Sequence, residues 1–464
     1  MSPEGRNLFD PLPFDVNNHA TNLEWMTIVT LKYPRLKFFS LRLSQLTMVL
    51  VCCVWASVAQ SRADYDIDDD GLVEIQSIAD IHKMLTKTDQ LRRQPYSGCP
   101  NQKCIGFELT QDLNFPSDTL SSQTVKKTIG YQGVNAQKPV EPSPYSAVNW
   151  PVIKRFKLVF EGNGYQISNI SLNNQSRAMF NSATNAVFRN ITLSMNPKSM
   201  RRNAVLVDNA SGSEFNNVTI KEGYALKGLM ARTMRASKIN NCDIKGVVEG
   251  SHGVGLLVGE VKKTLVSNCK IKGKVTASHG GGLIAGISKN SEFHDLDVKG
   301  YIVGRYNTAG GIGEVVNSLF RQVTVEASVT GIYLTVGGLA GNLEGSDIRN
   351  SLFTGNINAT TSKVGGVAGI IVGSHLQENE VDAQIVANQN LGLIGGSATN
   401  SVIEQFKFSG LASLDLSSAN QGTTTKPITD WFAQSSATTL SKTQYHPTPI
   451  KKPEAKAWYS ALFE

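Results

Sequence analysis

Residues 237–259 read SKINNCDIKGVVEGSHGVGLLVG, and residues 264–286 read TLVSNCKIKGKVTASHGGGLIAG. The two stretches match position by position at a spacing of 27 residues, which indicates an internal repeat. Most copies start 27 or 28 residues apart between residue 186 and about residue 410. The other openings are AVFRNITL at Ala186, SEFNNVTI at Ser213, SEFHDLDV at Ser291, SLFRQVTV at Ser318, SDIRNSLF at Ser346, SHLQENEV at Ser374 and SVIEQFKF at Ser401.

Each copy opens with the same apolar pattern, in which the third and eighth positions are apolar and the sixth mostly is. Positions six and eight alternate with polar residues, which is the periodicity of a β-strand. The fifth position separates them from position three and is usually Asn. Because Asn tolerates left-handed backbone, this column predicts a tight turn in every copy. It consists of Asn190, Asn217, Asn241, Asn268, Asp295, Gln322 and Asn350.

The second half of each copy is rich in glycine and apolar residues. Strings such as GVGLLVG at Gly253 have the look of a nucleotide-binding loop, but that fingerprint needs one strand–turn–helix context. Here the string recurs in copy after copy, so its glycines are assigned to corners and tight packing. The blocks are GLLVG at Gly255, GLIAG at Gly282, GGIG at Gly310, GGLAG at Gly337, GGVAG at Gly365 and GLIGG at Gly392.

These blocks resemble the GLUG motif, a short Gly-Leu-hydrophobic-Gly repeat of bacterial cell-surface proteins. The resemblance spans about residues 64–410 and includes the N-terminal part. There, DYDIDDDGLVEI from Asp64, a helical stretch, CIGFELT from Cys104 and EGNGYQISNISL from Glu161 follow in the order typical of such exported proteins. The resemblance implies an exported bacterial repeat protein and identifies no substrate.

One copy cannot bury its apolar face alone, so the copies must stack. Stacked parallel strands place identical positions in columns, at about 4.8 Å per coil. The predicted fold class is therefore all-β: a right-handed parallel β-solenoid (a β-helix, pectin-lyase-like) with a short N-terminal capping helix. That helix is predicted at residues 78–94, with Ser77 as its N-cap and Asp80 in its first turn.

The pattern divides the chain into five segments. Residues 1–63 form a targeting region, and residues 64–115 hold the acidic DGL segment, the capping helix and the first strand. Residues 116–150 are a Pro/Ser-rich insertion, residues 151–410 the solenoid, and residues 411–464 a C-terminal cap or tail. The 464 residues carry a formal net charge of +7 that is spread along the chain, so nucleic-acid binding is not indicated.

The targeting region has the features of a secretory signal peptide. Positive residues precede an apolar run at residues 46–56, which is too short to span a bilayer comfortably. Cleavage is predicted after Ala59, or else after Ala63, and translation from Met26 would give a conventional signal; an uncleaved signal-anchor is the alternative. The mature chain is predicted to have no membrane span and to be secreted, periplasmic or at the cell surface.

Four cysteines remain in the mature chain. Cys99 and Cys104 enclose a short Pro-containing loop and are predicted to form a disulfide, with zinc binding as the alternative. Cys242 and Cys269 occupy one column, one coil apart. Their Cα spacing lies within disulfide range, but directly stacked parallel neighbours keep their Cβ atoms far apart. Stacked inward thiols are therefore expected there, with a disulfide as the alternative.

The mature N-terminus contains a candidate calcium loop. Asp66, Asp68 and Asp70, followed by Gly71, match the opening of a calcium-binding loop in which alternate carboxylates converge on one side of a turn. The twelfth position, where Glu is the usual last ligand, is Ser77, and Asp80 is a substitute if the loop is shifted. The other interpretation is a solvated acidic turn. Calcium is the one cofactor that the sequence suggests.

A second candidate site is a column of planar rings. His252, His279, Tyr306 and Tyr333 are spaced by 27 residues, and Arg305 adjoins the third ring. The column is either a ladder that stabilises a corner or an exposed strip that contacts a glycan or protein ligand. Metal binding by the two histidines lacks a third ligand.

Three functions remain open from the sequence. Acidic residues are scattered, and no Ser-His-Asp or His-Glu-His arrangement is present, so no catalytic residue is assigned. The favoured interpretation is an adhesin-like exported protein that acts by binding. The alternatives are a carbohydrate-active enzyme, such as a polysaccharide lyase or hydrolase, and a structural spacer at the cell surface.

Overall fold

The computed structural model describes residues 66–84, 99, 104–115, 149–197, 199, 201–360, 363–415 and 425–447. The predicted signal peptide, its cleavage sites after Ala59 and Ala63, and all but the last two residues of the insertion at 116–150 lie outside these residues. Within them, no helix is long and apolar enough to cross a membrane.

The chain is an all-β, parallel β-solenoid of about nine turns with almost no helix, as the repeat predicts. Among the described residues, ten short strands form one parallel sheet, and a second sheet contains the other 23 strands. Among the described strands the pairing is parallel except between β29 and β30. The strands are β1 (Leu72–Ile75), β2 (Gly106–Leu109), β3 (Leu113–Asn114), β4 (Val159–Glu161), β5 (Gln166–Ile170), β6 (Phe180–Thr184), β7 (Val187–Met195), β8 (Arg202–Ala204), β9 (Val207–Ser211), β10 (Glu214–Gly228), β11 (Ala231–Arg235), β12 (Lys238–Gly255), β13 (Val258–Lys262), β14 (Leu265–Gly282), β15 (Ala285–Lys289), β16 (Glu292–Ala309), β17 (Ile312–Val316), β18 (Leu319–Gly337), β19 (Ala340–Glu344), β20 (Asp347–Arg349), β21 (Leu352–Ala359), β22 (Lys363–Gly365), β23 (Ala368–Val372), β24 (His375–Gln377), β25 (Glu380–Ala387), β26 (Leu391–Gly392), β27 (Gly395–Thr399), β28 (Val402–Glu404), β29 (Lys407–Asp415), β30 (Thr425–Pro427), β31 (Phe432–Ser436), β32 (Thr439–Ser441) and β33 (Gln444–His446).

The core consists of the columns that the repeat predicts. Phe293 in β16 pairs in register with Val266 on one side and Phe320 on the other, and all three side chains are fully buried. Each such side chain contributes about 1.5–3 kcal/mol through burial of apolar surface, so the stacked columns are the main source of stability. The assigned register is confirmed, since the third-position residues are all buried: Phe188, Phe215, Ile239, Val266, Phe293, Phe320, Ile348, Leu376 and Ile403.

The Asn column forms the predicted corner. Asn190, Asn217 and Asn268 have φ values of 55°, 54° and 54°, which is the left-handed conformation that Asn tolerates. The amide of Asn217 donates to Oδ1 of Asn190 at 2.8 Å, so one coil is hydrogen-bonded to the next along this corner. The same conformation continues at Asp295, Gln322 and Asn350.

A buried hydroxyl column forms at the first position of the repeat and was not predicted. Oγ of Ser213 accepts the backbone N–H of Ala186 at 3.2 Å and donates to the carbonyl of Ser211. Oγ of Ser291 likewise accepts the backbone N–H of Thr264 and donates to the carbonyl of Lys289. A hydroxyl both accepts and donates, so it satisfies two backbone groups that the corner removes from the strand ladder.

Both cysteine pairs within the described residues are disulfides in the structure. Cys99 is joined to Cys104, as the sequence predicts. Cys242 is joined to Cys269, and the expectation of free thiols there is wrong. The two cysteines are register partners with Cα atoms 4.5 Å apart, which lies within the range that a disulfide bridges.

One short helix, α1 (Ile78–Met84), follows β1. The Ser77 hydroxyl caps it: Oγ accepts the backbone N–H of Asp80 at 3.3 Å and donates to the Asp80 carboxylate at 2.7 Å. Ile81 is fully buried in the core, so α1 packs against the core through this side chain. The remainder of the predicted helix, from residue 85, lies outside the described residues.

Candidate functional site

The predicted ring column is a continuous stack. The rings of His252 and His279 have centroids 4.3 Å apart and planes 2° from parallel. His279 stacks on Tyr306 at 4.4 Å, and Tyr306 on Tyr333 at 5.4 Å. Each pair is in register on adjacent strands from β12 to β18, so the stack follows directly from the repeat spacing.

The stack is partly exposed. His252 and Tyr333, at its two ends, are exposed, while His279 and Tyr306 are half-buried between them. Tyr333 is 41% exposed and the adjoining Leu334 is 56% exposed, which makes this end an apolar surface. Inside the stack, Nδ1 of His279 is buried and has no hydrogen-bond partner among the described residues.

A corner of left-handed residues directly follows the rings. Gly253, Gly280 and Asn307 have φ values of 55°, 58° and 50°. Leu334 holds the same conformation at 64°, although it carries a large branched side chain. A non-glycine residue costs roughly 1–2 kcal/mol in this region, so Leu334 is a strained and exposed apolar residue beside the last ring.

Two cations lie beside the rings. Arg305 directly precedes Tyr306 and is exposed. Lys227 donates from Nζ to the carbonyl oxygen of His252, and burial lowers the pKa of Lys227 while Glu260 acts in the opposite direction. The histidines belong to no group of three or more potential metal ligands in the described part of the chain. The arrangement is therefore suited to contact along a partly exposed stack of rings, with its exposed rings at the two ends.

The predicted calcium loop is an acidic turn that its own carboxylates organise. Oδ2 of Asp66 accepts the backbone N–H of Gly71 at 2.8 Å, and Oδ1 of Asp70 accepts that of Leu72 at 2.7 Å. Asp66 is fully buried, whereas Asp68 and Asp70 are exposed. Gly71 has a φ of 92°, which favours glycine, so the sequence DIDDDG is well suited to this turn.

Two further carboxylates meet this turn, and the sequence did not single them out. Glu74 in β1 and Glu108 in β2 are directly opposite each other on parallel strands, with exposures of 7% and 8%. Carboxylate oxygens of Asp66, Asp68 and Glu74 lie within 4.8 Å of one another. The same holds for Asp68, Asp70 and Glu108, so Asp68 links all five acids into one cluster.

The environment of this cluster disfavours negative charge. Burial raises the pKa of Glu74, and the charges of Asp66 and Asp68 raise it further. Burial also raises the pKa of Glu108. A hydrogen bond from Asn163 acts in the opposite direction and is the smaller effect. Desolvation and like-charge repulsion therefore both act on the two strand residues.

Glu161, the next acid in this column, differs from Glu74 and Glu108 because a cation compensates its charge. It pairs in register with Glu108 on one side and Arg189 on the other. Its carboxylate forms an ion pair with Arg189 and accepts a hydrogen bond from Asn190 at 2.9 Å. Glu161 thus has its own cation, and it belongs to neither set of clustered carboxylates.

The other residues considered as calcium ligands are located elsewhere. Asp80 is engaged with the hydroxyl of Ser77 and with the backbone N–H of Gln76 at the start of α1. Asp80 belongs to neither set of clustered carboxylates, and Ser77 is the helix cap. Glu74 and Glu108 are the acids that the fold brings to the turn.

A shallow depression lies at the corners that precede β16, β18 and β20. Its two acids already have partners: Glu292 lies 3.2 Å from Nε2 of His294, and Asp347 forms an ion pair with Arg349. The lining residues are Asn290, Ser291, Glu292, Asn317, Ser318, Leu319, Gly345 and Asp347.

Comparison with known proteins identifies no family. No protein-family model matches the chain, and no curated protein matches it in sequence. A solved structure titled "IgA1 Protease" is similar over 79% of this chain, with 14% sequence identity and a TM-score of 0.32. The match covers 24% of that protein, so the chain spans about a quarter of its length.

Proposed function

We propose that this chain is an exported, adhesin-like repeat protein that binds a surface glycan along the ring stack. The observation that carries the proposal is the partly exposed stack of His252, His279, Tyr306 and Tyr333. Its length, three inter-coil steps or roughly 14 Å, suits a short glycan.

The chemistry of the stack favours a glycan. Tyr hydroxyls and imidazole nitrogens donate and accept hydrogen bonds, and the fold repeats them once per coil at spacings of 4.3–5.4 Å. Sugars present rows of hydroxyls together with apolar C–H surfaces. The exposed end at Tyr333 and Leu334 supplies apolar contact, and Arg305 adds a donor for an acidic sugar.

The test is binding of the purified protein to a glycan array, with Tyr306→Ala combined with Tyr333→Ala as the variant. Tyr301→Ala is the matched control, because Tyr301 lies on the same strand as Tyr306 but in another column. We expect specific glycan binding that the double variant loses and the control keeps. Binding that survives removal of both tyrosines would overturn the assignment of the ring stack.

Assays of the same purified protein on glycans and on candidate protein ligands separate the alternatives. Release of reducing ends during incubation favours a carbohydrate-active enzyme. Binding to a host protein and to no glycan favours a protein ligand on the same strip. No binding of either kind favours a structural spacer.

We further propose that the protein is exported and secreted, periplasmic or held at the cell surface, and that it belongs with the GLUG-motif proteins. The Cys99–Cys104 and Cys242–Cys269 disulfides support an oxidising compartment. We also propose that the solenoid is right-handed and that α1 caps its N-terminal end, which the burial of Ile81 supports. A crystal structure of the mature chain tests both features.

A further inference from the structure

We propose that Asp66, Asp68, Asp70, Glu74 and Glu108 form a calcium site that fixes the N-terminal acidic turn to the first coils. The site is separate from the ring stack and goes beyond the proposed glycan binding. Its ligands come from three segments: the turn at residues 66–70, β1 and β2.

Glu74 provides an observation independent of the acidic turn. Its side chain is more than nine-tenths buried, and one carboxylate oxygen, Oε1, accepts the backbone N–H of Ile67. The other, Oε2, is buried and has no hydrogen-bond partner among the described residues. A buried carboxylate oxygen without a partner is unfavourable, and one carboxylate oxygen of Glu74 lies within 4.8 Å of oxygens from Asp66 and Asp68. A cation bound between these three side chains would compensate the buried carboxylate of Glu74.

Charge leads to the same conclusion. Asp68, Asp70, Glu74 and Glu108 take part in no salt bridge within the described residues, unlike Glu161, which has Arg189. Carboxylates held this close repel one another, and two of them are also removed from water. A divalent cation would offset both effects at once.

The donor set selects calcium among the common cations. All five side chains offer carboxylate oxygens, which are the hard ligands that calcium binds in sets of six to eight at about 2.3–2.6 Å. Within each of the two sets of three, Asp66–Asp68–Glu74 and Asp68–Asp70–Glu108, the oxygens lie within 4.8 Å of one another, which fits around an ion at such distances. Zinc prefers His and Cys ligands, and magnesium keeps most of its water, so neither needs five carboxylates.

Calcium at this position would join segments that are distant in the chain. Glu74 and Glu108 lie on strands separated by α1 and by residues 85–98, while the turn itself precedes β1. The end of the turn already contacts the residue that precedes β2, because the N–H of Ile105 donates to the carbonyl of Gly71 at 2.8 Å. Binding energy would therefore become stability of the N-terminal end.

The test uses purified protein stripped with EDTA and titrated with calcium chloride by calorimetry, with melting temperature as a second readout. We expect calcium to bind and to raise the melting temperature, and magnesium to do so at least tenfold more weakly. Glu74→Gln and Glu108→Gln, which keep size and lose charge, should each weaken calcium binding by tenfold or more. Absence of calcium binding by the unmodified protein would overturn the proposal.

Two controls separate a lost ligand from a damaged fold. Glu161→Gln removes an acid that shares the column of Glu74 and Glu108 but lies outside the cluster. Asp69→Asn removes an acid of the same turn that belongs to neither set of clustered carboxylates. Both variants should bind calcium as the unmodified protein does. In EDTA, Glu74→Gln should melt no lower than the unmodified protein, because repulsion is reduced. Full calcium affinity in both Glu74→Gln and Glu108→Gln would restrict the ligands to the turn and refute the roles of β1 and β2.

Discussion

His279 stacks on Tyr306 with ring centroids 4.4 Å apart, although the two residues are 27 positions apart in the chain. The parallel register converts one repeat of sequence into one step between adjacent strands, so a fixed spacing becomes ring contact. A shift of one residue in either coil would turn that side chain to the other face and break the stack. The stack is therefore a sensitive reporter of register.

The position of a ring in the stack should set its contribution to stability. Tyr306 has stacking partners on both sides, His279 and Tyr333, whereas the described contact of Tyr333 is with Tyr306. Each aromatic contact is worth about 0.5–1.5 kcal/mol. We expect Tyr306→Ala to lower the free energy of unfolding by about 2 kcal/mol and Tyr333→Ala by about 1 kcal/mol. Urea unfolding measures both, and equal losses would show that stacking does not determine the difference.

Replacement of a core phenylalanine should be more damaging. Phe293 is fully buried between Val266 and Phe320, and its ring centroid lies 5.1 Å from that of Phe320. Phe293→Ala should lower the free energy of unfolding by about 3–5 kcal/mol, because it leaves a cavity in the column. The neighbouring Glu292→Ala, on the exposed side, should change it by less than about 0.5 kcal/mol. Similar effects of the two substitutions would contradict the inward assignment of the third column.

The two disulfides should differ in their effect on stability. Cys242 and Cys269 are 27 residues apart, and Cys99 and Cys104 are 5 apart. In the chain-entropy model, a longer closed loop gives greater stabilisation, roughly 3–4 kcal/mol for the first pair and roughly 2 kcal/mol for the second. The double Cys→Ala variant of each pair, measured by urea unfolding, checks this order. Peptide mapping without reduction should first recover both cross-linked pairs; free thiols at Cys242 would remove the basis of the comparison.

The columns of the solenoid were predictable because their spacing is nearly constant. The third-position residues, the Asn corner and the ring stack all follow from a period of 27 or 28 residues. The disulfide between Cys242 and Cys269 was not predictable in the same way. The column fixes the Cα positions of the two cysteines but leaves the directions of their side chains open. In the structure the two side chains are joined by a disulfide bond.

The acidic cluster shows where the sequence is insufficient. Asp66, Asp68 and Asp70 were recognisable because they alternate within a few residues. Glu74 and Glu108 share a column with Glu161, but α1 and the insertion at residues 116–150 make the first coils unequal in length. Without a constant period, sequence spacing does not show which acids become neighbours. Only the strand pairing brings them together.

We expect the protein to be exported and to lose the targeting region on export. The apolar run at residues 46–56 and the small residues before Gln60 predict cleavage after Ala59, and Asp64 is the second expected N-terminus. N-terminal sequencing or intact mass of the exported protein measures this directly. A chain that retains residues 26–59 would contradict cleavage and favour a signal-anchor.

The corner beside the last ring should show opposite effects on stability and binding. Leu334 holds a left-handed φ of 64° where the preceding coils use Gly253, Gly280 and Asn307. Leu334→Asn should raise the free energy of unfolding by about 1 kcal/mol, because Asn adopts this conformation more readily and little apolar burial is lost from a residue that is 56% exposed.

Leu334→Ala is the matched control, since alanine keeps the Cβ atom that causes the strain and should change stability little. If the strained leucine is retained for contact with a ligand, both variants should bind the glycan more weakly, and the Asn variant should do so while melting higher. Urea unfolding and binding to the best glycan of the array measure the two effects. A less stable Leu334→Asn variant with unchanged binding would make Leu334 a packing residue of the corner and leave the ligand contact to the rings alone.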